Sequence, residues 1–326
     1  MILSVLLCGP FFYSYSTFQG PPFPPGWLEY GLKGNVRSFE QRLCAARQEG
    51  DHFICGDPVF NTPEGKNISL TFDKKGNKLT EKEMPGPGNV YDGPIDGADS
   101  NLIVEKINDI VYAYKYDGSG RRVETDFGNT GTFYSYNEKG LCTIESMRYA
   151  SGKEFYRLDF TYDSKGRLTG HREFGEGADF PIRTRVLTYD KKNRVSTETW
   201  LNEKMMQITF DTITYDDKGR ISEMIHRDDR QAVKYVRYVY AFDKRGNKTL
   251  DACYDASGAV LLKKVMEYDE KGAMVSCSCY NNKGENLAFK RYWTYSFDKK
   301  GNWTERVTYD GNKKALVITK REIEYY

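Results

Sequence analysis

The stretch Tyr162-Asp163-Ser164-Lys165-Gly166-Arg167-Leu168 decides the fold of this chain. An aromatic residue precedes Asp, two polar residues follow, and Gly closes the run before an apolar residue opens the next segment. Asp at the start of a tight turn accepts hydrogen bonds from the backbone two residues on, and Gly supplies the positive φ that closes a bulged hairpin. The pattern recurs at Phe72-Asp73, Tyr116-Asp117, Tyr136-Asn137, Tyr189-Asp190, Tyr215-Asp216, Phe242-Asp243, Tyr268-Asp269 and Phe297-Asp298. From Asn137 onward the copies are 26, 27, 26, 27, 26 and 29 residues apart, a period that marks a repeat architecture. After Asp190 the closing Gly is replaced by Asn193, the residue type that best tolerates a left-handed backbone after Gly.

Outward from each turn the pattern has period two. Phe160 and Tyr162, Leu187 and Tyr189, and Tyr240 and Phe242 share a strand face, and Leu168, Val195, Ile221, Met274 and Trp303 restart the pattern after the turn. A second turn closes each unit, as in Tyr149-Ala150-Ser151-Gly152, Tyr254-Asp255-Ala256-Ser257-Gly258 and Tyr280-Asn281-Asn282-Lys283-Gly284. Each unit is therefore two strands and two turns, and neighbouring units pair in sequence into roughly sixteen to twenty strands. An open twisted sheet of that size curls, so the expected fold is all-β: a long antiparallel meander of β-hairpins in one curled or spiral sheet, its inner face lined with stacked Tyr and Phe. The repeat domain spans 28–326; residues 31–60 form an opening hairpin that caps it, and the Gly-, Pro- and Asp-rich run 85–100 is an insertion loop.

Composition agrees with a thin sheet. Only 39% of residues are hydrophobic while 14% are aromatic, with 25 Tyr and 18 Phe, so rings carry the apolar surface. With 48 Lys and Arg against 46 Asp and Glu the chain lacks the basic excess of a nucleic-acid binder. No apolar run reaches the length of a membrane helix. Residues 1–27 combine a short apolar run, Met1 to Cys8, with the proline-rich Gln19 to Trp27, and read as an export or lipoprotein segment and a linker, Cys8 being the candidate lipidation site. A misplaced start codon or an ordinary buried N-terminus are the alternatives. The location expected is the cell envelope or outside the cell, with the cytoplasm as alternative.

Tyr162-Asp163-Ser164-Lys165-Gly166-Arg167-Leu168 and its cousins resemble the YD repeat of the Rhs and teneurin families, and Gly31-Leu32-Lys33-Gly34-Asn35-Val36 looks like the entry to the repeats in short exported bacterial members. In large Rhs proteins such repeats wrap a C-terminal toxin, and in teneurins they support adhesion. The resemblance implies neither role here: the units are too few for a sealed shell, and Glu322-Ile323-Glu324-Tyr325-Tyr326 carries neither a toxin nor the Rhs self-cleavage motif.

Chemistry is sparse in the sequence. His52, His171 and His226 lie in different units without metal-ligand spacing and read as strand residues. The recurring Asp residues are explained by turns and, in equivalent positions, would sit about two strands, ~10 Å, apart. Lys165, Lys192, Lys218, Arg245, Lys271 and Lys300 follow the turn Asp by two residues, and form either a candidate polyanion-binding ridge or ordinary exposed turn cations. A membrane barrel is disfavoured because charged residues alternate with apolar ones on both faces, as Lys320, Glu322 and Glu324 do in the last strand. Cys253 and Cys279 are separated by a strand and read as packed thiols. A two-residue turn at Glu49-Gly50 would pair Gln48 with Asp51 and set Cys44 opposite Cys55, within disulfide reach. The function expected is a non-enzymatic, envelope-associated binding or scaffold protein without cofactor, whose partner is a glycan or surface protein. The alternative is an enzyme whose site lies near 85–100, with Asp92, Asp96 and Asp99 as candidate metal ligands.

Overall fold

The computed structural model describes residues 26–60, 62, 65–84, 110–228, 230–231, 234–281 and 287–326. Cys8, the run 85–100 with Asp92, Asp96 and Asp99, and the turn at 282–284 lie outside the described residues.

Each repeat turn is held as its chemistry demands. Gly166 takes φ 80° and donates its N–H to the Asp163 carbonyl at 3.0 Å, while Asp163 N–H donates to the Arg167 carbonyl at 2.9 Å. The Asp163 carboxylate accepts the N–H groups of Lys165 and Arg167 through one oxygen, both at 2.9 Å, and Arg167 Nε through the other at 2.6 Å. These bonds, the Arg167 backbone bond foremost, hold the Asp163 carboxyl below the usual carboxylate range. Asn193 takes φ 63° in the equivalent place, as expected. A Cβ on Gly166 would meet only an ordinary contact with Leu141, so Gly166→Val tests backbone strain alone. It should cost about 1–2 kcal/mol by thermal melting, whereas an unchanged midpoint would refute the left-handed turn. Asn193→Gly should be near neutral in the same assay. It relieves the backbone but gives up the 2.8 Å hydrogen bond that Asn193 Oδ1 accepts from Arg167.

Residues on the motif Tyr side of each strand form one face, called here the aromatic face; the other carries exposed hydroxyls such as Thr161, Thr188 and Thr214. The reason for Tyr at the motif position is visible between units. Tyr162 donates its hydroxyl to the Cys142 carbonyl at 2.7 Å, and Tyr215 and Tyr268 do the same to Val195 and Lys248 at 2.8 Å. Each acceptor opens the strand that follows the previous unit's turn. Where the motif residue is Phe297, Tyr295 two residues earlier makes the equivalent bond to Met274. Between units the motif rings also meet cations: Arg167, Arg194 and Arg220 lie 4.4, 4.2 and 4.3 Å from the ring centroids of Tyr189, Tyr215 and Phe242 in the next unit.

The described residues make one antiparallel sheet of 21 strands. The spiral expected from sequence is corrected, because the sheet closes into a barrel of 20 strands. The first strand, Val36–Glu49, pairs through Val36 to Ala45 with the last, Ala315–Tyr325, and through Ser38 to Gln41 with Ile68–Phe72. It is thus the joint of the ring rather than a cap, and closure leaves no free edge along the wall. The joint is sealed on the aromatic face by Trp27, Leu32, Val36, Phe39, Ile68, Leu70 and Phe72, all buried. Trp27 therefore belongs to the core and not to a linker. It sits in a short 3-10 helix, Gly26–Tyr30, its ring edge-on to Phe72 at 5.8 Å.

Beyond the joint the first strand continues into a hairpin with His52–Pro58. Here the expected register is corrected: Glu49 pairs with His52, so the loop is Gly50-Asp51, with Gly50 at φ 61° in the first loop position, where primed turns need positive φ. A bulge at Ala45 then shifts the pairing so that Ala46, not Cys44, is opposite Cys55. The disulfide nonetheless forms, with Cα atoms of Cys44 and Cys55 5.4 Å apart. Cys44, Ala46, Phe53 and Cys55 cover Val307, Ala315 and the fully buried Ile318 on the hydroxyl face.

Candidate functional site

The nine repeat turns come together at one end of the barrel. Lys165, Lys192, Lys218, Arg245, Lys271 and Lys300 are all exposed there, so the expected row exists, and closure bends it into a ring. Two of these cations also tie turn to turn, and a third packs on the last strand. Lys218 Nζ donates to the Lys244 carbonyl at 3.3 Å, Arg245 donates to the Glu270 carbonyl, and Lys300 Nζ lies 3.6 Å from the Tyr325 ring centroid.

A second assembly lies on the aromatic face, where five neighbouring strands bring non-repeated side chains into one belt. His171 and Glu173 come from Leu168–Gly175, Arg183 and Arg185 from Arg183–Tyr189, and Glu198 and Trp200 from Val195–Asn202. Asp211 and His226 follow on Gln207–Tyr215 and Ile221–Asp228. Direct cross-strand pairing aligns them: His171 opposes Arg185, Arg185 opposes Trp200, Glu198 opposes Asp211, and Asp211 opposes His226.

Trp200 is the centre of the belt. Its indole N–H donates to Glu198 Oε1 at 2.7 Å, while Arg185 donates to Glu198 Oε2, also at 2.7 Å. Arg183 and Arg185 lie 5.3 and 5.9 Å from its ring centroid, and His171 stands edge-on at 5.4 Å. Burial pushes the Glu173 carboxyl up, but the His171 hydrogen bond and the Arg183 charge outweigh it and hold the group below its usual value. His171 is buried, and its Nδ1 has no hydrogen-bond partner.

His226 Nδ1 meets Asp211 Oδ1 at 2.6 Å. That hydrogen bond, against the opposing effect of burial and with the charges of Asp211, Asp228 and Glu198, raises the His226 pKa above its ordinary value. A raised histidine contributes stability that is full below the unfolded pKa, about 6.5, and is lost as pH rises through the folded value. The melting temperature of the native chain should therefore exceed that of His226→Gln by most at acidic pH, the gap narrowing above pH ~6.5. A gap that widens with pH would show that the imidazole is neutral in the fold.

In sequence alone His171 and His226 stand as unconnected strand residues, and no local pattern marks Trp200. The parity signal was present: steps of two from Tyr189 reach Arg185 and Arg183, and from Tyr215 they reach Asp211. Among the described residues no group of three or more His, Cys, Asp or Glu is arranged to hold a metal. Cys142, Cys253, Cys277 and Cys279 are buried and in no disulfide, and burial pushes Cys142 up to about 12, which makes it a poor nucleophile. Cys253 and Cys279 lie on strands Lys248–Tyr254 and Met274–Asn281, separated by Val260–Tyr268, as expected. No described helix is long and apolar enough to cross a membrane. Arg42 opposes Lys320, Glu40 opposes Glu322 and Ser38 opposes Glu324, so the hydroxyl face carries charges at the joint.

The sequence matches no known family profile and no curated protein. Among solved structures, the TcdB2-TccC3-Cdc42 complex is similar at 12% identity and TM-score 0.38, over 77% of this chain but 14% of the toxin chain. A porin-like protein from Bacteroides uniformis is similar at 9% identity and TM-score 0.37, over 90% of this chain and 99% of that one. The Photorhabdus luminescens Tc holotoxin pore gives 12% identity and TM-score 0.31, over 81% of this chain and 15% of that one. At such scores these likenesses carry no argument about function.

Proposed function

We propose that the chain is a non-enzymatic, envelope-associated barrel of YD repeats that binds glycans along the belt around Trp200. The observation that carries this reading is the way the belt is built: an indole held in place by Glu198, with guanidinium, carboxylate and imidazole groups fixed around it by mutual pairing. A sugar presents an apolar C–H face, which an aromatic ring accepts, and a rim of hydroxyls, which paired carboxylates and guanidiniums accept and donate to. The groups are held before any ligand arrives, which reduces the ordering cost of binding. Their pairing also supports a binding role over catalysis, since Glu198 is committed to Trp200 and Arg185 and Asp211 to His226. Glycan-array screening of the full chain against Trp200→Ala tests the reading. Selective binding weakened at least about tenfold by the substitution is expected. Absence of any bound glycan, binding indifferent to Trp200, or turnover of the bound sugar would overturn it.

A further inference from the structure

We propose that the end of the barrel formed by the nine repeat turns docks on a phosphate-bearing anionic lipid surface, and that this is independent of the Trp200 belt. The two residues after the motif Asp or Asn are the exposed tips of the turns. Four turns carry a doublet there (Lys74-Lys75, Lys191-Lys192, Lys244-Arg245 and Lys299-Lys300) and four a single Lys, twelve cations in all. Only Glu138, Asp217 and Glu270 oppose them. The tips thus hold an excess of nine positive charges in a chain whose net charge is +2, so the remainder of the molecule is net negative by seven.

Ordinary turn chemistry explains a single exposed Lys but not this imbalance. The eight motif aspartates do not neutralise the tips, because their carboxylates turn back on the loop. Asp163, Asp190 and Asp216 each accept two backbone N–H groups and the Arg four residues on. Counting those eight aspartates and the four such arginines leaves the turns at +5. Closure then decides the geometry: the cations ring one end of a cylinder, which matches a flat anionic surface better than a linear polymer lying in a groove. A ring of basic side chains gains attraction from every phosphate beneath it, as juxtamembrane basic clusters do.

The place where the N-terminal segment enters points the same way. Lys33 exchanges hydrogen bonds with Asn302, N–H to Oδ1 at 2.7 Å and carbonyl from Nδ2 at 2.9 Å, while Trp27 packs on Phe72 beside the Asp73 turn. Residue 26 is therefore at the cationic end, and the 25 residues before it begin with the apolar run Met1 to Cys8. An apolar or lipidated segment combined with a basic surface is the two-signal arrangement that holds proteins firmly on membranes.

The test is co-sedimentation of the full chain with vesicles of phosphatidylcholine alone, or with about a third phosphatidylglycerol, at low and high salt. The comparison is a variant carrying Lys139→Glu, Lys165→Glu, Lys191→Glu and Lys192→Glu, four exposed side chains on three successive turns. Expected are binding at least about tenfold tighter to the anionic vesicles, weakening with salt, and an at least tenfold loss in the variant at unchanged melting temperature. Lys313→Glu with Lys314→Glu, on a turn at the opposite end, and Trp200→Ala should leave vesicle binding intact. Equal binding to both vesicles, which would assign it to the apolar N-terminal residues alone, overturns the proposal. So does indifference to the four substitutions, or binding to soluble polyphosphate without binding to vesicles.

Discussion

Gly170→Ala should be among the most damaging single substitutions in the barrel, costing about 3 kcal/mol or more. Two independent effects add there. Gly170 holds φ 154°, a conformation reserved almost entirely for Gly. A Cβ would also land on the Arg185 carbonyl, overlapping its oxygen and lying 3.0 Å from its carbon and 3.3 Å from Val186 Cα. The obstacle is backbone in the next strand, so no rotamer change relieves it. Gly170 sits at a bulge, where the pairing of Leu168–Gly175 with Glu154–Tyr162 slips by one residue. The substitution must therefore part strands that carry His171 and Arg185, and it should disturb the Trp200 belt as well as stability. Gly118→Ala is the control, since nothing lies within 4 Å of a Cβ at that turn. Urea unfolding of both variants checks the claim, and equal midpoints would mean that the bulge is absent.

The repeat turns were legible because everything that shapes them is local: Asp, its two backbone donors and the positive-φ Gly lie within five residues. Closure was not, because it depends on pairs such as Leu43 with Thr319, and nothing in Val36–Glu49 distinguishes a strand that joins two ends from one that caps an edge. Trp27 was misplaced for a related reason. A proline-rich approach reads as linker, and only the core from Val36 to Phe72 shows what the ring packs against. The Cys44–Cys55 bridge was reached by a register that the structure corrects: the loop begins one residue later, and a bulge at Ala45 sets Ala46 opposite Cys55. The belt escaped because repeats draw attention to recurring residues. Glu198, Trp200 and Asp211 occupy recurring positions but do not themselves recur, so only the strand parity carried their signal.

Phe39→Ala tests the joint itself. Phe39 is 1% exposed, its ring centroid is 5.6 Å from that of Tyr30, and the Arg321 guanidinium lies 5.0 Å from it. Burial, with repulsion from Arg306 adding to it, pulls Arg321 down to about 9, still above neutrality, so a cation packs against this ring. Truncating a buried Phe leaves a cavity and costs about 3–5 kcal/mol, by the lost transfer energy and the partners it abandons. The position makes the consequence specific, because Phe39 pairs with Ile323 on one side and Leu70 on the other. Apart from the first strand's contact with Ile68–Phe72, the other wall pairings join strands consecutive in sequence, whereas the pairing of the first strand with the last joins segments nearly the whole chain apart. The joint should therefore open before the wall unravels. Amide exchange in the variant should accelerate most at Thr319 to Ile323 and at Leu70, while Thr197 and Thr212 on the far wall stay protected until global unfolding. Oxidation of paired Ser38→Cys and Glu324→Cys, directly opposed across the joint, should form a disulfide in the native chain and rescue the melting temperature of Phe39→Ala. Failure of that bridge to form, or exchange that rises evenly around the sheet, would return the fold to an open spiral whose first and last strands never meet.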